Sequence, residues 1–202
     1  VDLKKVTLPE GLTGIGTSTF NGCINLTTVN IPDTVTIIAG SAFKNCANLD
    51  GITLPEGLEK TGSDVFANCT SLTSVNVPGI SSVGANMFMG CTKLATVTLS
   101  PDLTQLGAKM FQNTALTSID LSNITKLGAN ALEGTRITSV DISHITDSNL
   151  ANATFMNCLS LTSVTLNPNA KALKDSMFQG CTALTKIDLP NSINYLGKKT
   201  FM

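Results

Sequence analysis

The chain has 202 residues and a formal net charge of -1, with 13 Lys plus Arg against 14 Asp plus Glu, so it lacks the basic stripe that displaces counterions from nucleic acid. Charged residues make up 13%, against roughly 25% in an ordinary soluble chain, yet no apolar run approaches the ~18 residues that would span a bilayer. The apolar residues are spread by an internal period instead, and a period decides the fold before length does.

The first strand phrase runs from Leu3 to Pro9. A longer phrase then recurs: FNGCINLTTVNIP from Phe20, FKNCANLDGITLP from Phe43, FANCTSLTSVNVP from Phe66 and FQGCTALTKIDLP from Phe178. Looser copies begin at Phe88, Phe111, Leu132 and Phe155, and Phe201 opens another. Successive core positions are 23, 23, 22, 23, 21, 23, 23 and 23 residues apart. The strand column reads Val6, Val29, Ile52, Val75, Val97, Ile119, Val140, Val164 and Ile187, which predicts nine rungs. Three residues before each rung stands Leu, replaced once by Ile137. Two after it stands Ile, Leu or Val, the alternation of a strand with one buried face. Pro at 9, 32, 55, 78 and 190 has no N–H to offer a ladder and closes the strand.

The return half of each unit reads LTGIGTSTF (Leu12 to Phe20), LTQLGAKMF (Leu103 to Phe111) or INYLGKKTF (Ile193 to Phe201). Its apolar spacing predicts a short irregular or 3₁₀-like wall rather than a long helix. Two residues after the core position stand only Gly and Asn: Gly22, Asn45, Asn68, Gly90, Asn113, Gly134, Asn157 and Gly180. These residues enter the left-handed region at least cost, so each unit is expected to turn there through an αL residue. Parallel strands joined by ~17-residue crossovers wind right-handed, and nine rungs at ~4.8 Å make a solenoid roughly 40 Å long.

The period stumbles at Phe111 and Leu132, where FQNTALTSI and LEGTRITSV each lose a residue, and again between Ile142 and Phe155, which gains one around SHITDSN (Ser143 to Asn149). The chain opens inside a strand phrase and stops one residue after Phe201, which reads as residues 1–202 forming one solenoid domain within a longer chain.

Cys23, Cys46, Cys69, Cys91, Cys158 and Cys181 share one column, three after the core position, with Thr114 and Thr135 in the same place. Parallel Cβ vectors suit a disulfide poorly, so free thiols packed in the core are expected. One residue type per turn also lacks a tetrahedral partner set, and no metal or cofactor is expected. His144, with Asp141 and Asp147 nearby, is read as a polar loop residue, since no nucleophile or second histidine accompanies it. The sequons at Asn25, Asn68, Asn123 and Asn152 match the number that composition produces by chance.

These columns resemble the BspA-like, or Treponema-type, leucine-rich repeats. Leu26, Val29, Ile31 and Pro32 followed by Val35, Ile38, Ala42, Phe43, Asn45 and Cys46 carry the likeness, with Ala39 the main departure. The resemblance implies an α/β right-handed solenoid with a concave parallel sheet, on secreted or surface-anchored proteins that bind proteins or adhere to cells rather than catalyse. The expected binding face is the outward strand positions: Thr28, Asn30, Ser74, Asn76, Thr96, Thr98, Ser118, Asp120, Ser139, Asp141, Ser163, Thr165, Lys186 and Asp188, with Lys5 and Thr7 ahead of them. The expected partner is a protein or a cell-surface or matrix ligand, without nucleic acid or membrane insertion. The alternative is a structural spacer that presents another domain.

Overall fold

The computed structural model describes residues 2–80 and 83–202. The chain winds as a parallel-strand solenoid of about eight turns, and each coil contributes to three walls.

The strand face is built from β1 (Lys5–Thr7), β3 (Thr28–Asn30), β6 (Ser74–Val77), β7 (Thr96–Leu99), β10 (Ser139–Asp141) and β11 (Ser163–Thr165). All pairing is parallel, and the predicted column sets the register: Val6 faces Val29, Val75 faces Val97 and Val140 faces Val164. The ladder is not continuous. It forms as the pairs β1–β3, β6–β7 and β10–β11, and the expected rungs at Ile52, Ile119 and Ile187 carry no strand pairing. Gly51 gives the first of these no side chain to pack beside Ile52, and the second follows the shortened coil of Phe111. Ile52 is still buried, and Ile119 and Ile187 still pack against the core. The inward face therefore outlasts the hydrogen-bond ladder.

The return wall is more regular than the sequence predicts. Two-residue strands form a second set of parallel ladders: β2 (Gly14–Ile15), β4 (Ile37–Ile38) and β5 (Lys60–Thr61), then β8 (Gln105–Leu106) with β9 (Lys126–Leu127), and β12 (Ala172–Leu173) with β13 (Tyr195–Leu196). Among the described residues the single 3₁₀ helix is Asp147–Asn149, inside the segment that gains a residue. Stacking supplies each short stretch with a neighbour in register, which an isolated unit lacks.

The third wall carries the core phenylalanines. All eight Gly and Asn residues of the predicted column have positive φ, from 57° at Asn113 to 74° at Gly22. A second αL column lies two residues before the core position, at Ser18, Ser41, Asp64, Asn86, Lys109, Asn130, Ala153, Ser176 and Lys199. Alternate peptides there turn along the solenoid axis. In the coil of Phe43, Ser41, Phe43 and Asn45 donate their N–H groups to Ser63, Val65 and Ala67 of the next coil at 2.8–2.9 Å. The intervening N–H groups close local turns, as Lys44 does on Ser41.

Inside the walls, Phe20, Phe43, Phe66, Phe88 and Phe111 stack at ring-centroid distances of 5.1–5.6 Å. Leu132 interrupts the column, and stacking resumes from Phe155 through Phe178 to Phe201. All six cysteines are buried and free. Cys46, Cys69 and Cys91 each donate Sγ–H to the phenylalanine carbonyl of the coil before, at 3.1–3.2 Å. Thr114 and Thr135, in the same column, instead bond the core residue of their own coil.

Burial pushes the thiols of Cys46 and Cys91 up to about 12. An unfolded thiol ionises near 9, while the folded one keeps its proton, so stability is intact below pH 9 and falls as pH rises toward 12. Each such thiol is expected to contribute a slope of up to about 1.4 kcal/mol per pH unit in that window. Urea titrations from pH 8 to 11 should show the fall, shallower in a Cys46→Ala, Cys91→Ala variant.

Candidate binding face

Every strand-face residue singled out in the sequence is exposed. Pairing brings some of them side by side: Thr28 with Lys5, Asn30 with Thr7, Ser74 with Thr96, Asn76 with Thr98, Ser139 with Ser163 and Asp141 with Thr165. Ser118 and Asp120, and likewise Lys186 and Asp188, stand on rungs outside the ladders. Lys186 and Asp188 make an ion pair at 3.1 Å, but both are largely in solvent, where such a pair is worth about 0–1 kcal/mol.

Asp120 and Asp141 line one shallow cavity of about 330 Å³ with Ile119, Leu121, Ser122 and His144. Each carboxylate is fixed by its own turn: Asp120 Oδ1 accepts the Ser122 N–H and Asp141 Oδ1 the Ser143 N–H, both at 2.9 Å. Those backbone hydrogen bonds hold both carboxyls below the ordinary range. His144 Nε2 lies 3.1 Å from the Leu121 carbonyl and 3.0 Å from that of Ile124. Two carbonyls can only accept, so this nitrogen carries a hydrogen and is committed to the turn.

A wider groove of about 740 Å³ runs along the face, lined by Ser163, Thr165, Leu166, Pro168, Asp188 and Leu189 among others. Leu189 occupies the same column as Ile31 and Leu166, which are buried, yet it is 40% exposed. Its rung, at Ile187, is the last of the column within residues 1–202, so no following coil covers it. Tyr195, the only tyrosine, lies on β13 in the return wall and away from the strand face. Among the described residues, no helix is long and apolar enough to cross a membrane.

Parallel coils, an inward Leu and Phe lattice and an exposed polar strand face define a leucine-rich-repeat solenoid. A family model described as BspA type leucine rich repeat region matches in six copies over residues 1–116 and 81–202. The chain belongs to that family. No curated protein matches it. Among solved structures, a T. pallidum leucine rich repeat protein is 28% identical, with a TM-score of 0.56 over 78% of this chain and 64% of its own. The chain thus spans less than two thirds of that protein. A leucine rich cell surface protein from Faecalibacterium prausnitzii is 24% identical, with a TM-score of 0.53 over 98% of this chain and 79% of its own. The pneumococcal vaccine antigen PcpA is 16% identical, with a TM-score of 0.62 over 98% and 69%. The last two likenesses show the fold alone.

Proposed function

We propose that the chain is a non-enzymatic protein-binding module of a secreted or surface-exposed protein, adhering to host or neighbouring cells through its strand face. The observation that carries this reading is the row of exposed polar side chains, repeated coil after coil, above a core that fixes their spacing. The cell-surface description of the F. prausnitzii relative supports the location. In this reading residues 1–202 act as one solenoid domain of a longer chain.

The strand-face residues proposed for contact include no Trp or Tyr, the usual anchors of tight interfaces. Individual contacts are therefore weak, and avidity across copies supplies the strength. Replacing Ser118, Asp120, Ser139 and Asp141 together by lysine is expected to reduce binding to host matrix or cells at least ~10-fold, about 1.4 kcal/mol. The fold should be retained with a modest fall in melting temperature, because all four side chains are exposed and the structural loss is confined to the turn hydrogen bonds accepted by Asp120 and Asp141. Unchanged binding would exclude this part of the face. A spacer would instead show no binding by the isolated chain, with full activity in a neighbouring domain.

A further inference from the structure

On the return wall, successive coils are joined by backbone carbonyls. Glu59 and Lys60 both donate to Thr36 O at 2.9 and 3.2 Å, and Asn194 and Tyr195 both donate to Lys171 O at the same distances. The coil that gains a residue departs from this scheme. Its local 3₁₀ turn takes the N–H groups of Asn149 and Leu150 back to Thr146 and Asp147. The next coil then finds a side chain where a carbonyl would be: Asp147 Oδ2 accepts the N–H groups of Lys171 at 2.7 Å and Ala172 at 3.1 Å.

The segment is tied by side chains on its other flank as well. His144 Nε2 holds the Leu121–Ile124 turn of the coil before, and Asn167 Nδ2 reaches the Ile145 carbonyl from the coil after, at 3.3 Å. A cavity of about 250 Å³ lies between the segment and the following coil, lined by Thr146, Asp147, Ser148, Asn167, Asn169 and Ala170. The coils beneath stay joined without it. β10 pairs with β11, and Ala153, Phe155 and Asn157 donate to Asp175, Met177 and Gln179.

We propose that residues 146–149 form a strap, latched by Asp147 and rooted at its ends by the buried Ile145 and Leu150, that opens without unfolding the coils it spans and uncovers the N–H donors at the head of β12. Opening releases the two hydrogen bonds accepted by Asp147, while Ile145 stays in the core and Leu150 keeps its parallel bridge to Leu127. It also widens the cavity.

Residue-resolved hydrogen exchange on the whole chain tests this. In the parent protein the Lys171 and Ala172 amides should exchange about 10-fold faster than those of Asn194 and Tyr195, whose acceptor is a backbone carbonyl. Asp147→Ala should speed exchange at Lys171 and Ala172 by about 100-fold, while Phe155 and Phe178 amides keep their rates. Asp147→Asn, which retains a carbonyl oxygen, should stay near the parent. Equal parent rates at the two pairs, unchanged protection in Asp147→Ala, or acceleration spread evenly over all coils would each overturn the proposal.

Discussion

Phe66→Ala is expected to destabilise the chain by about 4 kcal/mol. Phe66 is fully buried between two other rings, 5.3 Å from Phe43 at 7° and 5.6 Å from Phe88 at 6°. Truncation removes both stacks at once and leaves a void that neighbours held by backbone ladders fill only partly. A solenoid coil touches only the coils beside it, so the defect falls at one joint and weakens the whole stack there. Urea unfolding should show a lower midpoint, with a melting temperature about 12 °C below the parent. Phe201→Ala is the control: that ring is 46% exposed and stacks on Phe178 alone, so its loss should cost about 1 kcal/mol.

Gly62→Ala should cost about 3 kcal/mol, toward the upper end of the overpacking range. A Cβ there would run into the backbone nitrogen of Gly40 and lie 2.6 Å from its Cα and 2.9 Å from the Ala39 carbonyl carbon. Backbone fixed by inter-coil hydrogen bonds cannot yield as a side chain does. Gly128 and Gly197, in the same column, meet backbone of the preceding coil in the same way, at 2.6 and 2.5 Å. Gly51→Ala provides the contrast, because its Cβ would meet nothing within 4 Å. Thermal melts of the two variants should separate clearly, with Gly51→Ala within about 1 kcal/mol of the parent.

Much of this architecture is legible in the letters because each coil repeats the environment of the last. Val6 over Val29, the phenylalanine stack and the eight αL residues two after the core position all follow from equal residues lying in equal places. The second αL column is hidden, since Ser18, Asp64, Lys109 and Ala153 share no conformational preference that would announce it. Their positive φ is imposed by the axial hydrogen bonds of the wall, which outweigh a local cost of about 1–2 kcal/mol per residue.

The candidate face divides in the same way. Alternation along each strand is enough to place Thr28, Asn30, Asp120 and Asp141 outside, because a period of two admits only two faces. It does not reveal that Asp120 and Asp141 line one cavity, or that Asp147 stands in for a carbonyl. The order of residues alone sets the repeat, its inward columns and its outward ones. Which rungs pair, where grooves open and how the extra residue near Asp147 is absorbed emerge only when coil packs on coil. Those features depend on the spacing between coils, and no single coil encodes that spacing.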